Sequence, residues 1–188
     1  MTSIRHHGGA VHSDLTLKDG PLAQSLQIAR RTGEMTELEE FPGHQIRRLQ
    51  QIAVAIFLQE TEPYGITPVQ CAAMITVGNG SGMDQRTLAR TIGFDTSTIA
   101  GVIDRLEARG LLRRGMSALD ARVRLLTLTE KGRDLLESLM PSVMRAQHRM
   151  LAPLSRSERG EFMRMLDKLV ATNNDLSRAP AVADAAGG

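Results

Sequence analysis

Eight arginines fall between Arg86 and Arg124 (Arg86, Arg90, Arg105, Arg109, Arg113, Arg114, Arg122 and Arg124), against four acids, Asp95, Asp104, Glu107 and Asp120. The stretch is +4 while the whole 188-residue chain is +2, so the remainder is close to −2. A positive field concentrated in one module, built without lysine, suits phosphates, because the planar guanidinium makes paired hydrogen bonds that an ammonium cannot. Within the stretch, Ser97, Gly101, Asp104 and Ala108 share one helical face, flanked by Thr98 and Arg105 and preceded by Thr96. That face is small and polar enough to enter a major groove, and Gly101 would let backbone approach the bases. The candidate duplex-DNA contacts are therefore Arg86, Thr96, Ser97, Thr98, Gly101, Arg105, Arg114, Arg122 and Arg124.

The elements that must carry these side chains can be read around them. Ala89, Gly93 and Ile99 are spaced four and six apart, as in two short helices crossing closely around a glycine turn. Asp95 stands at an N-cap position, and Ile99, Val102, Ile103 and Leu106 then recur at helical spacing as a core-facing side. Gly110 closes that helix where a C-terminal glycine is preferred. Leu111 to Arg114 and Val123 to Leu128 read as two strands, joined by a Gly115 to Arg122 loop too long for a two-residue hairpin. Helix, turn, helix and arginine-rich hairpin together predict a winged helix-turn-helix: mainly α, with a small β-wing and a helical dimerisation region.

The run Ser97-Thr98-Ile99, Leu106-Glu107, Gly110-Leu111-Leu112, then Asp120-Ala121-Arg122-Val123 and Leu126-Thr127-Leu128-Thr129-Glu130-Lys131-Gly132, resembles the MarR family of bacterial transcription regulators. The resemblance spans about residues 42 to 175. It implies a homodimer on a near-palindromic operator, repressing nearby genes until a small molecule loosens its grip. By the same similarity Arg122 is the wing-tip arginine that enters the minor groove. Asp120 is the acid that braces the wing, through Arg113, Arg114 or Arg122. Ala121 departs from the second basic residue common at that place.

Composition sets limits. Hydrophobic residues make up 41% of the chain and aromatics 3%, with no tryptophan, one tyrosine and ten methionines, so the core must be aliphatic and there is room for one lobe plus helices. No apolar stretch approaches membrane-spanning length and the N-terminus lacks a signal-peptide layout, so a cytoplasmic, nucleoid-associated protein is expected. Cys71 is the single cysteine and cannot form an internal disulfide.

Three regions follow. Residues 1 to 41 are an extension, aperiodic to about 20, with a short helix from Pro21 to Arg31. Residues 42 to 175 form the domain. In it a helix runs from about His44 to Thr61, Thr67 caps a second with Pro68 at its first position that ends near Val77, and Gly78 to Gly82 is a connector before Asp84 opens the next. The winged helix-turn-helix covers 67 to 128. Thr129 caps a long helix in which Pro141 should introduce a bend. Ser155 and Glu158 make a capping box for a last helix to about Asn174, with Phe162, Met163, Leu166, Leu169 and Val170 facing inward. A tail from 176 to 188 is expected to be disordered.

The apolar helices at 44–61 and 129–174 need a partner that a single chain cannot easily supply, an independent argument for a homodimer. Two-fold symmetry would set two reading helices about 34 Å apart, one turn of DNA, on an inverted repeat. Relatives that sense aromatic acids hold the carboxylate with a basic residue of the first helix. The resemblance therefore nominates Arg48, with His44, Arg47 and Gln51 as companions and Tyr64, Cys71 and Met74 as lining, for a small aromatic carboxylate. Two alternatives are a redox-responsive regulator acting through Cys71 and a winged helix used only to dock proteins. No catalytic residues, cofactor or metal site are expected. His44 and His148 stand alone, the Gly78-Asn79-Gly80-Ser81-Gly82 run lacks the Lys-Ser/Thr ending of a phosphate loop, and His6, His7 and His12 lie in the leader.

Overall fold

In a computed structural model, residues 38–80, 82–116 and 124–174 are described. The chain forms two compact units, divided between Leu49 and Gln50 inside the first long helix. That helix, α1 (Pro42–Glu60), begins two residues before the expected His44 because Pro42, with its fixed φ and absent N–H, suits the first helical position, while the Phe41 carbonyl accepts from His44 and Gln45 N–H. A single 3₁₀ turn, Glu62–Tyr64, ends in Gly65 at φ +57, the left-handed conformation that stops a helix. The remaining helices are α2 (Pro68–Gly78), α3 (Gln85–Ile92), α4 (Thr96–Ala108), α5 (Glu130–Met150) and α6 (Arg156–Asn173).

Each of these five starts at a side-chain cap: Thr67, Asp84, Asp95, Thr129 and Ser155 accept from the backbone three residues on. Two are full capping boxes, Thr67 with Gln70 and Ser155 with Glu158. Each cap satisfies an otherwise orphaned donor and is worth about 1 kcal/mol. The core gathers Phe57, Ile66, Cys71, Met74 and Val77 with Leu88 and Ala89 of α3, Ile99, Val102, Ile103 and Leu106 of α4, and Leu139 and Val143 of α5. Gly93 turns the α3–α4 corner at φ +74, with Ala89 fully buried beside it.

Strands β1 (Leu112–Met116) and β2 (Arg124–Leu128) pair antiparallel, Leu112 opposite Leu128 and Met116 opposite Arg124. β1 starts and ends later than expected, because Leu111 serves the turn instead: its N–H reaches the Leu106 carbonyl and its own carbonyl accepts from Thr129 N–H. Met83, in the connector before α3, adds a third rung through an antiparallel bridge to Leu126. α5 continues through Pro141 without interruption from Glu130 to Met150. The expectation for α6 needs correcting: none of its residues is buried, and Met163, Leu169 and Val170 are exposed, because no other element among the described residues covers that face. The Pro21–Arg31 helix, the tail beyond Asn174 and the wing-tip residues Asp120, Ala121 and Arg122 lie outside the described residues.

Candidate nucleic-acid interface

α4 is sharply divided. Ile99, Val102, Ile103 and Leu106 are at most 1% exposed, anchoring one side, while Thr96, Ser97, Thr98, Asp104 and Arg105 are exposed and Gly101 half-exposed on the other. The amphipathic spacing thus sets the rotation of the helix and delivers the polar face outward. Asp95 organises its start: the carboxylate accepts from Thr98 N–H at 2.8 Å, from Ser97 Oγ at 2.5 Å and from Thr98 Oγ1 at 2.6 Å. These bonds, the Ser97 hydroxyl's foremost, hold the Asp95 carboxyl well below the usual carboxylate range. Ser97 and Thr98 therefore present hydroxyls already oriented by the cap. Gln85 at the start of α3 donates to the Thr96 carbonyl at 3.1 Å and fixes the corner between the two helices. The Arg105 guanidinium lies back over Gly101, 3.8 Å from where a Cβ would stand.

The base of the wing is joined to this helix by Arg114. Its Nη1 pairs with Glu107 and its Nη2 with Asp104 at 2.6 Å, and its backbone N–H donates to Glu107 at 3.1 Å. The hydrogen bond to Asp104, ahead of burial, which acts the other way, raises the Arg114 pKa. Arg114, named above as a candidate DNA contact and as a possible partner of Asp120, has its guanidinium engaged by two acids of α4, a strut between helix and hairpin. Arg113 braces the hairpin itself, its Nε donating to Thr127 Oγ1 of the facing residue at 3.0 Å. Arg86 and Arg124 are exposed and have no ion pair among the described residues.

The nominated effector residues distribute as follows. His44, Arg47 and Arg48 belong to the unit that ends at Leu49, with Arg47 and Arg48 exposed. Gln51, Tyr64, Cys71 and Met74 belong to the other, where Cys71 and Met74 are core and Tyr64 is half-buried. Burial pushes the Cys71 thiol up to about 11, so it carries almost no thiolate at neutral pH. Among the described residues no group of His, Cys, Asp and Glu could hold a metal, and no helix is long and apolar enough to cross a membrane.

Sequence reasoning passed over four contributors. Gln85 could have been found as a polar residue next to the Asp84 cap. Arg109 was counted only as charge, yet it donates to the carbonyls of Tyr64 and Gly65 and is thereby drawn away from phosphates. Lys131, which donates to the Arg109 carbonyl, and Met83 gave no local signal.

A buried-backed reading helix beside a braced β-hairpin defines a winged helix-turn-helix DNA-binding protein. The MarR family profile matches residues 64–123. The transcriptional regulator HosA of Escherichia coli is 31% identical over 129 residues, 69% of this chain and 94% of HosA. BpsR of Bordetella bronchiseptica, whose DNA binding is regulated by 6-hydroxynicotinic acid, superposes with TM-score 0.69 at 29% identity, over 72% of this chain and 97% of BpsR. The transcriptional repressor CouR of Rhodococcus jostii RHA1, bound to a 23-mer DNA duplex, gives TM-score 0.68 at 31% identity, over 73% of this chain and 97% of CouR. The chain belongs to the MarR family and is a DNA-binding transcription regulator rather than an enzyme.

Proposed function

We propose that the protein is a homodimeric repressor that grips an inverted-repeat operator and is released by a small aromatic carboxylate. The observation that carries the DNA half is the division of α4, with a fully buried apolar side and an exposed Thr96–Ser97–Thr98–Gly101–Arg105 side locked to the wing through Arg114. Arg105 and Thr96 would work in the major groove, and Arg86, Arg124 and the wing-tip Arg122 on phosphates and in the minor groove. Homodimerisation is supported by apolar side chains left uncovered on α1 and α6, among them Ile46 at 57%, Leu169 at 53% and Val170 at 64% exposed. The terminal helices 44–61 and 129–174 would form the dimer, leaving 67–128 to read DNA.

The effector class draws on BpsR and its 6-hydroxynicotinic acid. In this chain Arg48 is the first choice for the carboxylate, with His44, Arg47 and Gln51 beside it. The ligand must favour a dimer whose reading helices are misplaced on DNA; equal affinity for both states would release nothing. The test is fluorescence anisotropy on the DNA upstream of the protein's own coding region, titrated with benzoate, p-coumarate and 6-hydroxynicotinate. A dimer in sedimentation, one protected inverted repeat, and release by one acid in wild type but not in Arg48→Ala are expected. A monomer, or no preference over random duplex at moderate salt, would overturn the reading, and normal release of Arg48→Ala would remove the assignment of Arg48.

A further inference from the structure

The C-terminal end of α4 is held by polar bonds in addition to the buried Leu106 and Leu111. Arg109, the residue that ends the helix, donates from Nη1 to the Gly65 carbonyl at 2.6 Å and from Nη2 to the Tyr64 carbonyl at 3.0 Å. A planar guanidinium bridging two successive carbonyls fixes orientation as well as distance. The same Tyr64 donates its phenolic hydroxyl to the Ser138 carbonyl of α5 at 2.7 Å, within a turn of Pro141. From the other direction Lys131 Nζ donates to the Arg109 carbonyl at 2.9 Å, and Thr129 Oγ1 to the Gly110 carbonyl at 2.6 Å.

The turn that carries Tyr64 is itself tightly held. Thr61 Oγ1 donates to the Phe57 carbonyl of α1 at 2.8 Å, and the turn closes on Gly65 in its left-handed conformation. Beside these bonds lies an open surface cleft of about 570 Å³, lined by Arg109, Leu111, Lys131, Asp134, Leu135 and Ser138. Arg109 and Ser138, the two ends of the hydrogen-bonded route through Tyr64, both line that cleft. The bonds of Tyr64 thus join α5 at Ser138 and the turn after α1 to the end of the reading helix.

We propose that Tyr64 and Arg109 are positioning residues for α4, a relay that converts a shift of the Glu62–Gly65 turn into a change in the set of the reading helix on DNA. Neither residue touches DNA in this role, and the buried Ile99, Val102, Ile103 and Leu106 keep α4 folded when the relay is cut. As a mechanism of release it rests on the ligand-responsive reading above, and it supplies the step between effector and helix.

A double-mutant cycle on the full chain decides it, using Tyr64→Phe, Arg109→Gln and the pair. Two readouts are taken: operator affinity by anisotropy, with and without 6-hydroxynicotinate, and hydrogen exchange at the Arg109 and Gly110 amides. Tyr64→Phe is expected to weaken operator binding about threefold or more and to speed exchange at those amides, but to change neither by as much as twofold once Arg109 is Gln, a coupling of ordinary size for bonded neighbours. Arg109→Lys, with a single ammonium for two carbonyls, should retain part of the coupling. Equal effects of Tyr64→Phe in both backgrounds, or α4 amides indifferent to it, would overturn the relay. Failure of wild type to bind any promoter fragment would instead sink the regulator reading, while amide exchange still decides whether the relay exists.

Discussion

Substituting Gly132 by alanine sets two known effects against each other. Gly132 lies in the first turn of α5, where alanine normally gains about 1 kcal/mol over glycine. Here, however, a Cβ would run into the Leu111 carbonyl oxygen, far inside van der Waals contact, and stand 3.0 Å from its carbon. That carbonyl cannot move freely, because it accepts from Thr129 N–H at 3.1 Å, and Thr129 is also the cap of α5. Relief of the clash costs about 1–3 kcal/mol of overpacking and strains the cap, itself worth about 1 kcal/mol. Net of the helix-propensity gain the loss is about 1–3 kcal/mol, a fall in Tm of about 2–12 °C for a chain of this size. Gly160→Ala in α6 is the control: nothing lies within 4 Å of its Cβ, so propensity acts alone and Tm should rise by about 2–4 °C. Calorimetry at equal protomer concentration compares the three proteins. Because Leu111 joins α4 to β1, operator affinity of Gly132→Ala should also fall at temperatures where it is fully folded. A Gly132→Ala protein that melts at or above wild type would refute the argument that the close approach of α5 to Leu111 governs this position.

The other predictions concern the interface and its titrating groups. Arg114→Met should weaken operator binding without altering its salt dependence, since the side chain serves Asp104 and Glu107, whereas Arg105→Ala should lower the slope of log affinity against log salt by about one contact. The Asp95 carboxyl titrates lower in the folded chain than in the unfolded one, so its contribution to stability is complete above about pH 4 and is lost as pH falls towards its folded value. Asp95→Asn should therefore show a shallower decline of Tm between pH 5 and pH 3 than wild type, and a decline equally steep in both would contradict the assignment. With its thiol pushed up to about 11 and buried, Cys71 should resist alkylation at pH 7.5, and peroxide should not release the operator complex. Release of wild type but not of Cys71→Ser by peroxide would restore the redox alternative.

Local chemistry was legible in the sequence wherever a short-range rule governs it. Thr67, Asp95, Thr129 and Ser155 could be read as caps because each bond spans three residues, and Ile99, Val102, Ile103 and Leu106 could be read as core because helical geometry alone puts them on one face. The wing was legible as a hairpin, but not its limits, since nothing local shows that Leu111 gives its hydrogen bonds to Leu106 and Thr129 rather than to the ladder. Partners brought together by the fold were not legible. For Arg114 the sequence offered Asp120 as an acid partner, whereas the chain turn at Gly110 sets it against Glu107 and Asp104, and Arg109 finds its carbonyls 44 and 45 residues away. The face of α6 misled for a different reason: helical spacing marks apolar residues as belonging in an interior, without saying whose.

The small sheet has a consequence for how the protein behaves in crowded solution. On the outer border of β2 the Leu126 N–H is taken by the Met83 carbonyl, and on that of β1 the Arg114 N–H is taken by the Glu107 carboxylate. Neither margin offers a long free row of amides, and Arg113 adds charge where a foreign strand would have to dock. The described strands of the hairpin are thereby denied the edge-to-edge stacking that leads such ribbons into aggregates.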